Sequence, residues 1–318
     1  MSRLLVGYNA ADLYEKGRRG AKRTSSLLDG DVTCHVLDIY QRHAIERAHH
    51  AKAVCSPHLP EGDWDEIYFK TGPKLMSGEL SLDMLQEIAK LLGGDIKTPR
   101  FHLDFDGKER DKNELLAKIL DDPSRMRDFS CKWKASVQGI SPIELTSFPG
   151  CFCHRRPDDG GLALAEVVSR ELKEVSNEKG HLRLLDMGCG CGLVGFLVAS
   201  AVKGIGLVMV DSHSRAVEAA TLNSKTLGIP AEVILADNGT PTRMDCSFDV
   251  FVGNPPYYSD YRIAEVFLDT AKRALKKGGL CYTVVKNDAG LRPVQERYFP
   301  SVEVIRRRGY CILKSIMV

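Results

Sequence analysis

Residues 183–195 read RLLDMGCGCGLVG, and few local structures accommodate such a run. Arg183, Leu184 and Leu185 lead into Asp186, and Gly188, Gly190 and Gly192 then alternate with Met187, Cys189 and Cys191. Leu193, Val194 and Phe196 open an apolar helical pattern. The order predicts a buried strand, a glycine turn and a helix start. Glycine is needed where the backbone takes a positive φ, and where a ligand must approach the main chain itself. Nicotinamide and flavin sites favour a G-x-G-x-x-G spacing with pyrophosphate on the helix N-terminus. Here the spacing is G-x-G-x-G, with an acid two residues ahead of it. A purely structural strand–turn–helix uses the same residue types, so the loop alone does not decide the function.

The surrounding chain alternates between two periodicities. Residues 207–210 are apolar and end in Asp211, residues 232–236 close on Asp237-Asn238-Gly239, and residues 248–252 run into Gly253-Asn254-Pro255-Pro256-Tyr257-Tyr258. Upstream, residues 4–6, 32–39, 64–69 and 100–105 are strand candidates. Helices are expected over residues 41–53, on the stripe Leu85, Ile88, Ala89 and Leu92, and on Leu115, Leu116, Ile119 and Leu120. Strands alternating with helices predict an α/β fold with doubly wound, parallel sheets.

The order occurs twice. Residues 64–73 and 248–257 are each followed by an amphipathic helix, a glycine pair (Gly93–Gly94 and Gly278–Gly279) and another strand. Likewise VLDIYQRHAIERA at 36–48 is similar to VMVDSHSRAVEAA at 208–220. The reading is two tandem Rossmann-like domains, residues 1–145 and 146–318, with the boundary between Gly139 and Pro149. Shared α/β architecture without common origin would give part of the same pattern. The first copy is degenerate: Gly7 stands without a triple-glycine turn, and Lys70-Thr71-Gly72-Pro73 occupies the place of Asn254-Pro255-Pro256-Tyr257. It is therefore expected to be non-catalytic.

Charge adds little, because a net charge of +2 is balanced in both halves. The clusters Lys16, Arg18, Arg19, Lys22 and Arg23, then His154, Arg155 and Arg156, then Arg306, Arg307 and Arg308, suit phosphate contacts and equally suit a solvated surface. Ten scattered cysteines point to a reducing cytoplasm and not to a disulfide framework. No apolar run reaches the length of a membrane span, and the opening residues have too short an apolar core for a secretory signal. Cys151, Cys153 and His154 lack the second ligand pair that structural zinc requires, so no metal is expected.

Ligands of doubly wound sheets bind outside the carboxyl ends of the strands, which places the candidate site. Asp211, about 20 residues beyond the glycine loop, suits ribose hydroxyls and also suits a helix N-cap. Asp237 would lie near an adenine ring, although Asp237-Asn238-Gly239 is also a turn sequence. The two prolines after Asn254 remove two backbone donors and stiffen the loop while leaving carbonyls free to accept. Asn254 and a proline carbonyl would then hold the two N–H groups of a planar amine, with its ring stacked on Tyr257. Such stacking is worth about 1–3 kcal/mol.

The glycine loop resembles motif I of the class I S-adenosylmethionine-dependent methyltransferases. Its pairing with VGNPPY, in that order, resembles the members that methylate planar nitrogen. The duplicated layout with a damaged first copy, the lead-in FPGCFCHRRPDDGGLALAEVV and the closing residues 298–305 resemble the bacterial ribosomal RNA guanine-N2 methyltransferases, of the small-subunit type. That resemblance implies S-adenosyl-L-methionine as donor. Asp186, Gly188, Gly190 and Gly192 would form its loop, Asp211 would hold its ribose and Asp237 its adenine, and Asn254, Pro255, Pro256 and Tyr257 would receive the base. It implies ribosomal RNA or a ribosomal subunit as partner. Tyr257 departs from the Phe of close guanine-N2 members and matches adenine-N6 and glutamine-N5 methyltransferases, which stay open as alternatives. A catalytically silent RNA-binding protein is the reading from another class.

Overall fold

The structure is a computed structural model that describes residues 1–16, 22–120, 126–239, 244–256 and 261–318. It divides into two compact units, Met1–Ser130 with His213–Arg215, and Cys131–Ser212 with Ala216–Val318.

The first unit contains strands β1 (Ser2–Val6), β2 (Tyr14–Lys16), β3 (Lys22–Thr24), β4 (Asp31–Val36), β5 (Lys52–Cys55), β6 (Glu66–Thr71) and β7 (Phe101–Phe105). Its helices are α1 (Ile39–His49), α2 (Gly78–Leu91) and α3 (Glu109–Leu120). Five strands form a parallel sheet in the order β5-β4-β1-β6-β7, while β2 and β3 make a separate antiparallel hairpin. Two elements differ from the sequence expectation. The strand expected over 32–39 stops at Val36, because the Asp38 side chain accepts a hydrogen bond from Tyr40 N and caps α1. The helix expected to run to residue 53 ends at His50, whose left-handed φ of 53° terminates it, and Lys52–Cys55 then pairs with β4.

The second unit begins with a hairpin, β8 (Cys131–Ala135) and β9 (Ile143–Ser147), which lies before the expected boundary. Ala135, Val137, Ile140, Ile143 and Leu145 are all buried in the second unit's core, so the division falls at Ser130 and not near residue 145. There follow α4 (Asp159–Lys179), β10 (Leu182–Met187), α5 (Leu193–Ala201), β11 (Ile205–Asp211), α6 (Ser214–Leu227), β12 (Ala231–Leu235) and β13 (Phe248–Gly253). The chain closes with α7 (Arg262–Ala274), β14 (Leu275–Val285), α8 (Asp288–Gln295), β15 (Glu303–Arg307) and β16 (Tyr310–Ile316).

The seven-stranded sheet runs β12-β11-β10-β13-β14-β16-β15, parallel as far as β14, with β16 antiparallel between β14 and β15. Alternate side chains feed two cores. Leu184, Val250, Val252, Tyr282 and Ile312 pack on the side of α4 and α5, and Leu185, Phe251, Cys281 and Leu313 on the side of α7 and α8. Helix α5 buries Leu193, Val194, Phe196, Leu197 and Val198. At about 1.5–3 kcal/mol for each large apolar side chain, this helix is held by burial and not by propensity. The order β12-β11-β10-β13-β14 repeats β5-β4-β1-β6-β7, so both units carry the same doubly wound core. In each, the order reverses beside the first strand, the position outside whose carboxyl edge ligands of doubly wound sheets bind.

Candidate active site

Met187, the last residue of β10, is in register with Val210 on one side and Gly253 on the other. The glycine loop, Asp211 and the Asn254 loop therefore leave the carboxyl ends of three adjacent strands. The loop is anchored at several points. Gly188 N and Cys189 N both donate to Val210 O, at 2.8 and 3.1 Å. Gly192 N donates to Cys189 O at 2.8 Å, and Gly190 N to Asp211 Oδ2 at 2.8 Å.

All three glycines have positive φ: 68° at Gly188, 55° at Gly190 and 93° at Gly192. They nevertheless do different work. A Cβ on Gly188 would lie 2.7 Å from Phe267 Cζ, and one on Gly192 would overlap the Phe196 ring. A Cβ on Gly190 would meet nothing within 4 Å. Two glycines thus serve the protein's own packing, and the middle one borders open space.

Asp186 is 2 % exposed, and its Oδ2 accepts from Gly195 N at 2.9 Å. It satisfies one of the amides that the first turn of α5 leaves without a partner. Burial pushes its carboxyl up to about 7, and the nearby Asp211 charge adds to the rise. Asp211 at the end of β11 commits one oxygen to the loop, so it shapes the crevice wall as well as lining it. Asp237 follows β12 and is half-buried. Gly239, at φ 89°, turns the chain tightly against Thr270, so the turn reading of these residues also holds.

On β13, Gly253 would place a Cβ 2.8 Å from Phe267 Cδ1. Phe267 of α7 is therefore packed over both Gly188 and Gly253 and holds the two loops at one spacing. In sequence it is one apolar position in an amphipathic helix, with nothing to single it out. Pro255 is buried, while Asn254 and Pro256 are half-buried. The expected stacking residue Tyr257 lies outside the described residues.

Sequence reasoning also missed Asp158. Its Oδ2 accepts from Asn254 Nδ2 at 2.8 Å and from Gly161 N at 2.6 Å. Beside it, the Cβ of a residue at Gly160 would lie 3.2 Å from Tyr310 Cε1, and Lys286 Nζ stands 4.2 Å from the Tyr310 ring centroid. The signal for Asp158 lay in its place just ahead of α4, but its partner is 96 residues away.

Other expected features have ordinary partners. His154 Nδ1 meets Ser147 Oγ at 2.9 Å. Arg307 and Arg308 both pair with Glu166, the latter at 2.9 Å, and Arg306 is 3.8 Å from Asp288. The cluster at 16–23 falls largely outside the described residues. Among the described residues no helix is long and apolar enough to cross a membrane.

The corresponding edge of the first unit is filled. Gly7, at φ 78°, packs against Lys70 O so closely that a Cβ would overlap it. Tyr8 beyond it is buried. Lys70 Nζ reaches Asp12 Oδ1 at 2.7 Å and Asp104 Oδ2 at 4.0 Å, and lies 5.7 Å from the Tyr8 ring centroid.

A seven-stranded sheet with one antiparallel strand, a glycine loop on its first strand and Asn-Pro-Pro on its fourth define a methyltransferase-type α/β domain. The methyltransferase small domain model matches residues 142–314, more than half of the chain, and the chain belongs to that family. Among curated proteins, the chain is 33% identical over 162 residues to ribosomal RNA small subunit methyltransferase C of Pseudomonas paraeruginosa, covering 49% of this chain and 45% of that one. It is 29% identical over 178 residues to the protein of that name from Pseudomonas syringae pv. tomato, covering 55% and 48%. The chain thus spans about half the length of the curated relatives it matches. Among solved structures, it matches the Thermus thermophilus 16S rRNA N2 G1207 methyltransferase (RsmC) in complex with AdoMet and guanosine. That match has a TM-score of 0.73 at 16% identity, over 100% of this chain and 88% of that one, and it establishes the fold.

Proposed function

We propose that this protein transfers a methyl group from S-adenosyl-L-methionine to the exocyclic N2 of a guanine in small-subunit ribosomal RNA, in the cytoplasm. The observation that carries the reading is Asn254, held with its NH₂ end on Asp158 and its carbonyl turned away, at the carboxyl end of the strand paired with the one that carries the glycine loop. The curated relatives are named as ribosomal RNA small subunit methyltransferases, and the solved relative, a 16S rRNA N2 G1207 methyltransferase, is in complex with AdoMet and guanosine.

The residues present fit the donor. Gly190 leaves space at the loop where a side chain would intrude, Asp211 stands beside it, and Asp237 stands at the next strand end. Gly188, Gly190 and Gly192 would receive the methionine part, Asp211 the ribose and Asp237 the adenine amine. When bound, the donor supplies an electrophilic methyl on a sulfonium that is already a good leaving group. The protein's part is alignment of nitrogen, methyl carbon and sulfur. An exocyclic base nitrogen is a weak nucleophile because its lone pair is delocalised into the ring. The Asn254 carbonyl and the Pro255 carbonyl accept hydrogen bonds from its two N–H groups and build electron density on nitrogen as the bond to the methyl carbon forms, and one of those protons then passes to solvent. Asn254, Pro255, Pro256 and Tyr257 would together form the base-receiving loop. A paired base must leave its stack to reach it.

We further propose that the first unit is a degenerate copy that binds no donor. Gly7 and the Tyr8–Asp12–Lys70–Asp104 cluster occupy the edge where a donor would lie. The testing experiment is incubation with labelled S-adenosylmethionine, separation of RNA, DNA and protein, and identification of the methylated nucleoside. N2-methylguanosine from small-subunit RNA supports the reading. Label in N6-methyladenosine or in protein glutamine replaces it with the alternative that Tyr257 favours.

A further inference from the structure

We infer that Asp158 is a positioning residue for methyl transfer: its carboxylate decides which end of the Asn254 amide meets the accepting group. This rests on the reading of Asn254 as the amine-binding residue. Asp158 immediately precedes α4 and caps it, with Oδ2 accepting from Gly161 N at 2.6 Å and its carbonyl accepting from Leu162 N at 2.9 Å. The cap fixes the carboxylate independently of any substrate. The same Oδ2 receives Asn254 Nδ2 at 2.8 Å.

A carboxylate has no proton to give, so only the NH₂ end of an amide can face it. Rotation of the Asn254 amide by half a turn would set carbonyl against carboxylate, two acceptors with no proton between them. The pinned orientation turns the Asn254 carbonyl away from Asp158 and offers it as an acceptor. An accepting amine finds a partner there, whereas a ring carbonyl presented in its place meets another oxygen. Asp158 thereby selects for amines and holds Asn254 in the polarity that increases electron density on nitrogen. Free rotation would leave a donor facing a donor for part of the time.

Three variants of the full chain test this. Asp158→Ser keeps a good helix cap, but its shorter side chain does not reach Asn254. Asp158→Asn retains an acceptor oxygen and serves as the conservative rescue. Asn254→Ala removes the dependent residue. With labelled S-adenosylmethionine and a small-subunit RNA transcript, Asp158→Ser should lower kcat on the order of 100-fold, the scale of a small misplacement. Donor Kd and Tm should stay near those of the parent, and Asp158→Asn should recover part of the rate. In the Asn254→Ala background, Asp158→Ser should cost nothing further, because two residues acting through one contact are not additive.

A second readout needs no acceptor. The Asn254 side-chain amide protons, assigned in NMR spectra by their loss in Asn254→Ala, should be shifted by the carboxylate and should move in Asp158→Ser. Full turnover in Asp158→Ser, an additive double mutant, or Asn254 amide protons unaffected by Asp158→Ser would each overturn the inference. If the methylated product is another amine, the guanine reading fails, and the same cycle run on that acceptor still decides the role of Asp158.

Discussion

Alanine at each glycine of the donor loop should give two different phenotypes, although sequence alone treats the three alike. Gly190 sits at φ 55°, within the left-handed region, and a Cβ there meets nothing within 4 Å. The folded protein should lose only the backbone cost of holding alanine in that conformation, about 1–2 kcal/mol. In a unit of this size, about 1 kcal/mol lowers Tm by about 2–4 °C. Gly188→Ala and Gly192→Ala incur that backbone cost and also force Phe267 or Phe196 out of place. Overpacking of this kind adds about 1–3 kcal/mol. Differential scanning fluorimetry and calorimetric titration with S-adenosylmethionine separate the effects. Gly190→Ala should remain folded and bind donor at least tenfold more weakly, a loss of about 1.4 kcal/mol. Gly188→Ala and Gly192→Ala should show the larger falls in Tm. Parent-like donor affinity in a folded Gly190→Ala would refute the assignment of that open space to the donor.

Asp211→Ala should weaken donor binding by about 1–3 kcal/mol, with saturating donor restoring much of the rate; an unchanged Kd in titration would return Asp211 to a purely structural role. Asn254→Ala should largely abolish turnover, leaving a measurable residual rate, while donor affinity stays nearly intact, since its contact is made in the transition state, and equal loss of both would contradict the assigned role. Asp186 has a folded-state pKa raised by burial to about 7, so the native state holds its proton between about pH 4 and 7 while the unfolded chain has released it. The contribution to stability is therefore fully present at low pH and lost as pH rises towards 7. Asp186→Asn should remove that slope, and urea denaturation of both proteins at pH 5 and pH 8 checks it. Titration should find one donor per chain, and two equivalent sites would end the proposal that the first unit is degenerate.

The sequence was most readable where a residue type has one backbone use. Positive φ at Gly188, Gly190 and Gly192 and the stiff Pro255-Pro256 pair announce themselves without knowledge of neighbours. The doubly wound, parallel sheets of both units followed from alternation of periodicity, and the register then brought the expected edge residues Asp211, Asn254 and the glycine loop to adjacent strand ends. What escaped were features that depend on distant partners. Strand β5 was hidden because Lys52-Ala53 continues a helical pattern, and the stop at His50 is a left-handed histidine where glycine is usual. The hairpin β8–β9 straddles the boundary expected between Gly139 and Pro149, since nothing in its alternation tells which unit its apolar face will join. Phe267 and Asp158 are ordinary until the fold sets them against Gly253 and Asn254.

The two units then make a natural comparison of one architecture with different residues at the same strand ends. Each has five parallel strands in the same order and a glycine of positive φ after its first strand. In the second unit the next residues are again small, and the fourth strand ends in a loop without a charged side chain at Asn254-Pro255-Pro256. In the first unit the residue after Gly7 is the buried Tyr8, and the fourth strand carries Lys70 towards Asp12. A lysine paired to a carboxylate at 2.7 Å on a half-buried edge is satisfied internally, and displacing it for a ligand would leave both charges short of partners. Tyr8 stands where the second unit has Cys189 between two glycines, so the two edges differ in bulk as well as in charge. On the proposed reading, donor binding in this fold would be decided by a few residues at the strand ends, with the parallel sheet beneath them common to both units.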